Sequence, residues 1–139
     1  MKLAILSDTH GLLRPEVTEH LKTADAILHG GDINRQSIVD ELRQYAPLYI
    51  VRGNNDKDWA ASLPLDLRFS LGGLAFHMVH DKRDLPADLA GVDVVVYGHS
   101  HRYAQEVRGG VLYLNPGSCG PRRFHQEITL AEMAIEDGA

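Results

Sequence analysis

The sequence predicts an α/β fold, a four-layer α/β/β/α sandwich of two packed mixed sheets flanked by helices, with residues 1–139 as one domain. Three observations predict it. The first half alternates short apolar runs with amphipathic segments, the order of parallel strands joined by crossover helices. The second half has two Gly-Gly pairs, each set between strand-like runs, and these read as hairpins. The apolar runs of the first half each stop at a polar residue. In open α/β sheets, ligands bind outside the carboxyl ends of the strands.

The elements follow in order. Lys2 to Ser7 is an apolar run that stops at Asp8 and His10, so it reads as a buried strand feeding a loop. Pro15 suits the first turn of a helix, where its missing N–H costs nothing. Val17, Leu21 and Ala24 then recur at helical spacing. Ala26-Ile27-Leu28-His29 is a second short strand, ending at Gly30-Gly31-Asp32. Ile38, Val39, Leu42 and Tyr45 mark a second amphipathic helix, stopped by Pro47. Leu48 to Val51 is a third strand, ending at Gly53-Asn54. Asp8, Asp32 and Asn54 should therefore meet at one sheet edge.

Gly72-Gly73 turns a hairpin between Leu67–Leu71 and Leu74–Val79, and Gly109-Gly110 turns another between Tyr103–Val107 and Val111–Leu114. Pro86 to Leu89 reads as a short helical turn. Val92 to Tyr97 is a near-continuous β-branched run, a strand buried on both faces, ending at Gly98-His99. Gln126 to Ile135 alternates imperfectly and is expected to close a sheet. There is no internal repeat, low-complexity tract or linker.

Composition narrows the function classes. Hydrophobic residues make up 44% and charged residues 24%, which is the balance of a soluble globular domain rather than a disordered chain. At 139 residues the chain can bury a core without staples. The net charge of -5 argues against broad sequence-independent nucleic-acid binding, which needs basic surface. Cys119 is the only cysteine, so no internal disulfide can form. The run Met1–Leu6 is too short for a signal segment or a membrane span, and a cytoplasmic location without membrane contact is expected.

Five motifs end in metal-binding side chains: Asp8-Thr9-His10, Gly31-Asp32, Gly53-Asn54-Asn55-Asp56, His80, and Gly98-His99-Ser100-His101. They supply two carboxylates, one amide oxygen and four imidazoles. Paired ions about 3.5–4 Å apart are a standard device for phosphoester hydrolysis, and this ligand set suits such a pair. Mixed N and O ligands fit Mn²⁺, with Ni²⁺, Fe²⁺, Co²⁺ or Zn²⁺ as alternatives. Two such ions beside Asp8, Asp32 and a hydroxide would leave the site cationic, on the order of +1. An anionic substrate is compatible with that charge.

The order and spacing of the motifs resemble the metallophosphoesterase (calcineurin-like phosphoesterase) superfamily, from Met1 to about Arg123. The small size and Asn115-Pro116-Gly117-Ser118 look most like its small bacterial and archaeal phosphodiesterases. The resemblance implies a dinuclear phosphoesterase whose metal-bridging hydroxide attacks phosphorus in line. It implies that Asp8, His10 and His101 serve the first ion, that Asn54, His80 and His99 serve the second, and that Asp32 bridges both. Asn54 would also steady charge on the phosphoryl oxygens, so Asn54 and Asp32 carry the catalytic assignment. The implied substrate is a small phosphoester, and the oligomeric state is open, a homo-oligomer included.

Three positions depart from the family pattern. Asn55 stands where many members have a histidine that Asp56 would orient, and Asn55 cannot titrate. Arg35 stands where some members carry a second aspartate. Lys82 stands where the small phosphodiesterases often have a second histidine, and it reads as a solvated lysine.

The remaining candidates take the plainer reading. His80 is preferred over His77 because it sits at a strand end, like the other ligands. His20 reads as a helix-face residue, and His29 and His77 as strand histidines, with His29 able to support a ligand from behind. His125, beside Arg122 and Arg123, reads as a loop residue. Asn115–Ser118 reads as a structural turn, and Cys119 lacks the paired base of a nucleophile. The rival functions are a non-catalytic protein scaffold on the same fold, as in the retromer subunit that resembles this superfamily, and a phosphomonoesterase or nucleotide hydrolase. The retained ligands speak against the first. The lack of a cap domain speaks for an open diester site over the second.

Overall fold

The computed structural model describes residues 1–54, 56–86, 88–121 and 128–135. The strands and helices are β1 (Lys2–Leu6), α1 (Pro15–Leu21), β2 (Ala26–His29), α2 (Gln36–Arg43), β3 (Leu48–Ile50), β4 (Asp66–Leu71), β5 (Leu74–Val79), β6 (Val94–Val96), β7 (Tyr103–Arg108), β8 (Val111–Pro116) and β9 (Ala131–Ala134).

They form two mixed sheets, in the orders β3-β2-β1-β9 and β4-β5-β6-β8-β7. In the first sheet β1, β2 and β3 are parallel, as the alternation with helices requires, and β9 closes the edge antiparallel to β1. In the second sheet β6 is parallel to both its neighbours, and the hairpins β4–β5 and β7–β8 flank it. Both hairpins turn at the Gly-Gly pairs.

The two faces of β1 explain its unbroken apolar run. Leu3 and Ile5 point between the sheets, where they pack with Leu28, Phe76, Met78 and Val96. Ala4 and Leu6 point the other way, against Val17 and Leu21 of α1 and Val39 and Leu42 of α2. A strand buried on both sides has no polar face to alternate. Phe69 joins the sheets' aromatic seam, stacking on Tyr49 at 4.4 Å and on Phe76 at 5.3 Å between ring centroids.

Two expectations shift. A 3-10 turn lies at Lys82–Asp84, where the Asp81 side chain accepts the Arg83 N–H, and the helical turn expected at Pro86–Leu89 includes residue 87, which lies outside the described ones. On the outer side of the second sheet Leu85 and Leu89 pack against Val92, Val95 and Tyr97. Helix α2 stops at Arg43, and Tyr45 follows in a turn closed onto Leu42. The closing strand is shorter than expected, Ala131–Ala134, and residues 126 and 127 lie outside the described ones.

No helix among the described residues is long and apolar enough to cross a membrane.

Candidate metal centre

The loops after β1, β2, β3, β5 and β6 converge at one end of the two sheets. Asp8 N–H donates to Gly31 O at 2.9 Å and His10 N–H to Asp32 O at 2.9 Å, so the first two loops continue pairing beyond their strands. The third joins through Asp56. Its carboxylate accepts from the N–H groups of Ile33 (2.9 Å), Asn34 (2.7 Å) and Gly53 (2.9 Å), which binds the Asn54 loop to the Asp32 loop. From the second sheet, Gly98 N–H reaches His80 O at 2.8 Å, and His99 N–H reaches Asp8 Oδ2 at 3.2 Å.

Two groups of side chains result. Asp8, His10 and His101 form one, and Asp32, His80 and His99 the other, each with ligand atoms within 4.8 Å of one another. Asn54 lines the same cavity as His80 and His99. That cavity is about 570 Å³, and Arg52, Asp66 and Arg83 also face it.

The backbone here is strained. Asp8, His10, Asp32, Asn34, His99 and His101 all have positive φ, between 47° and 75°. Among the described residues these are all the non-glycine residues in that region, and five of them are in the two groups. Residues hold such conformations only where their surroundings over-determine them, and they cluster at functional sites.

Close approach adds a second constraint. A Cβ on Gly53 would lie 2.1 Å from Asp32 Oδ1, and one on Gly98 would lie 2.7 Å from Asp8 Oδ2. Only a glycine admits the carboxylate at either place.

The electrostatics fit cations. Asp8 Oδ1 is buried without a hydrogen bond, yet it lies 3.4 Å from His101 Nε2, 3.6 Å from His10 Nε2 and 3.8 Å from His80 Nε2. Burial opposes charge on Asp8, but the contacts with His10 and His101 and the charge of His80 outweigh it, and the carboxyl stays well below its usual range. His80 Nδ1–H donates to Gly30 O at 2.7 Å. That leaves Nε2 facing Asp32 Oδ2 at 3.1 Å, without hydrogen-bond geometry. His10 Nε2 and His101 Nε2 lie 3.2 Å apart, at hydrogen-bond distance, with the donor set by the tautomer. An acceptor nitrogen this close to a carboxylate oxygen, as at His80 and Asp32, suits a cation between them. Burial disfavours the charged form of His80, but Asp32 and Asp8 reverse that and raise its pKa.

The supporting shell includes residues the sequence reading missed or left aside. Ser7 Oγ donates to Asp8 Oδ2 at 2.8 Å. Asn34 Nδ2 lies 3.3 Å from His10 Nδ1. Asp81 Oδ2 lies 3.8 Å from His99 Nε2 and is held by Arg83. The hydrogen bonds from Arg83 bring the Asp81 pKa down to about 2. Asn115 donates to Gly98 O at 3.2 Å, and Ser118 Oγ donates to Asp8 O at 3.0 Å, so the Asn115–Ser118 turn braces two ligand loops. His29 accepts the Gly31 N–H at Nδ1 (3.0 Å), which assigns its proton to Nε2, toward Thr9 Oγ1 at 3.1 Å. Burial pushes its pKa down to about 4, so it supports as a neutral ring. Asp56 could not be read as a clamp, since its partners at 33 and 34 are over twenty residues away in sequence.

Other histidines lie apart. His77 is buried on β5 with Arg68 and Asp66 beside it, in neither group. His20 sits on α1 against Glu132. Cys119 is buried, and burial pushes its thiol up to about 12, too high for a nucleophile. Asn55 and His125 lie outside the described residues. His80→Ala is expected to abolish uptake of one ion while leaving the other. His77→Ala should lower the melting temperature and keep both. Metal analysis after chelation and re-addition checks this, and the reverse pattern would show the ligand to be misplaced.

The calcineurin-like phosphoesterase superfamily domain matches residues 1–138. A probable metallophosphoesterase of Methanothermobacter thermautotrophicus is 32% identical over 134 residues, spanning 85% of this chain and 77% of its own. A phosphodiesterase of Methanocaldococcus jannaschii is 28% identical, spanning 86% of this chain and 84% of its own. The crystal structure of Chaetomium thermophilum Vps29 shares the fold, with a TM-score of 0.83 at 21% identity over 98% of this chain and 83% of that one.

Proposed function

The chain belongs to the calcineurin-like phosphoesterase superfamily, and from that premise we propose that it is a phosphodiesterase working with two divalent transition-metal ions, manganese first among them. The observation that carries this reading is the pair of ligand groups packed around the orphaned Asp8 Oδ1, with His80 and His99 of the second group lining a cavity. Two ions held there would supply an acidified water and concentrated positive charge for phosphoester hydrolysis.

The chain's own residues do the rest. Asp8, His10 and His101 hold one position, and Asn54, His80 and His99 the other, with Asp32 between them. The left-handed loops and the Asp56 clamp fix those side chains before substrate arrives, so little reorganisation is left for the reaction. The Asn54 amide, on the cavity wall, is placed to donate to a phosphoryl oxygen. The substrate is a small phosphoester. Broad nucleic-acid or membrane binding is not part of this reading, and the site of action is the cytoplasm. The M. jannaschii relative, named a phosphodiesterase, supports the diester over the monoester.

Asn55 in the Gly-Asn-Asn-Asp segment cannot give a proton to the leaving oxygen. Positioned acid catalysis is typically worth about 10²–10⁴-fold, most of it for poor leaving groups. A plot of rate against leaving-group pKa is therefore expected to slope steeply downward for a series of aryl and alkyl phosphodiesters. Asn55→His should flatten it by helping the poor leaving groups. A flat plot in the unaltered protein would mean that another residue donates the proton, with Lys82 and His125 the first to replace. No hydrolysis of any diester with any of the five metals would overturn the function itself.

A further inference from the structure

A second cavity, of about 420 Å³, lies against the metal centre and shares Asp81, Arg83 and His99 with the first. It runs between the turn after β5 and the loop leading into β7. Three cations line it, Lys82, Arg83 and Arg102, against one carboxylate, Asp81. Arg83 is committed to Asp81 through hydrogen bonds at 2.6 and 3.0 Å to Oδ2. Lys82 lies over the Tyr97 ring, 5.6 Å from its centroid, and neither it nor Arg102 has an ion pair among the described residues. A patch with three cations and one carboxylate runs against the net charge of -5, although Glu106 also lies within reach of the Lys82 charge. Tyr103 opens β7 beside it with 47% of its surface exposed, a free aromatic face.

These features define a ligand chemistry: negative charge for Lys82 and Arg102, and a flat ring for Tyr103. Base stacking on an aromatic side chain and charge-assisted hydrogen bonds to phosphate are the matching interactions. Asn55 adds a requirement on the bond to be broken. Without an acid at that position, the leaving oxygen must be stable as an anion. A sugar hydroxyl is not. A phosphate monoester, with its second pKa near 6, is.

We propose that this cleft receives the leaving group and that the substrate is a nucleotide pyrophosphate diester, with a nucleoside monophosphate as the departing half. This rests on the phosphodiesterase reading above. Water adds across the P–O–P bridge. Its oxygen bonds to the phosphorus held at the site, the bridging P–O bond breaks with its electron pair on the departing phosphate, and of the water's two protons one goes to solvent and one stays on the new P–OH. Lys82 and Arg102 hold the departing phosphate, and Tyr103 stacks on its base.

The test uses the manganese-loaded protein with diadenosine 5′,5′-pyrophosphate, adenylyl adenosine and bis(p-nitrophenyl) phosphate. The pyrophosphate should be cleaved far better than adenylyl adenosine, which offers the same bases but a ribosyl leaving group. Arg102→Ala should raise KM for the pyrophosphate about tenfold or more, the effect of losing a charged hydrogen bond, and lower its kcat/KM relative to the nitrophenyl diester. Calorimetry with adenosine monophosphate should show the same factor in Kd. Tyr103→Ala should lower the ratio too, and Tyr103→Phe should restore it. Hydrolysis of the nitrophenyl diester with no preference for the pyrophosphate, or with ratios and nucleotide affinity unchanged in the variants, overturns the cleft and leaves the phosphodiesterase reading standing. Failure on all three substrates with every metal overturns both.

Discussion

Asp32→Asn is expected to lose at least one of two bound ions and nearly all turnover, a fall of about 10³-fold or more. That exceeds the loss from removing a single charge-stabilising donor, about 10²–10³-fold. The side chain keeps its size but loses the charge that offsets two neighbouring dications. Asp32 also faces both sides of the site: its Oδ2 is 3.1 Å from His80 Nε2 and 3.7 Å from His10 Nε2. Saturating metal should raise the melting temperature of the wild type, because the site exists only in the folded chain, and should raise that of the variant less. His20→Ala, at an exposed residue of α1 against Glu132 and in neither ligand group, should keep both ions and full activity. Metal analysis with parallel rate measurements decides it. Two ions and normal turnover in Asp32→Asn would remove the basis for a dinuclear centre.

Gly53→Ala is expected to be nearly as damaging, although it changes no ligand. The added Cβ would meet Asp32 Oδ1 at 2.1 Å and Asp32 N at 2.4 Å, so backbone as well as side chain must move. Gly53 N–H also donates to Asp56 Oδ2, and a shift there breaks the clamp on the Asp32 loop. Overpacking of this kind typically costs about 1–3 kcal/mol. The larger effect should be on metal, because the shift separates Asn54 from Asp32. Calorimetric titration well below the melting temperature should show a weakened second ion in a folded protein. Unchanged affinity and melting temperature would mean that the loops are looser than their contacts imply.

Much of this architecture is legible in the sequence, for identifiable reasons. The double-sided burial of β1 and β6 leaves unbroken apolar runs, and the Gly-Gly turns mark both hairpins. The site residues stand out because each ends a strand. What stays hidden depends on contacts between distant segments. The positive φ of Asp8, His10, Asp32, His99 and His101 has no local signal, since none of them is glycine. Asp56 looks like part of a motif aimed at residue 55, yet its carboxylate serves three backbone N–H groups. Asp81 carries no signal in the sequence, and only the fold brings His99 beside it. The Lys82–Asp84 turn rests on one side-chain cap at Asp81, too small a feature for periodicity to reveal.

The central claim is that the two ligand groups form one dinuclear centre. Crystals grown with manganese and measured at its absorption edge test this directly. The account predicts two anomalous peaks about 3.5–4 Å apart, one within Asp8, His10 and His101 and the other within Asp32, His80 and His99. A single peak, or peaks only elsewhere on the surface, would contradict it.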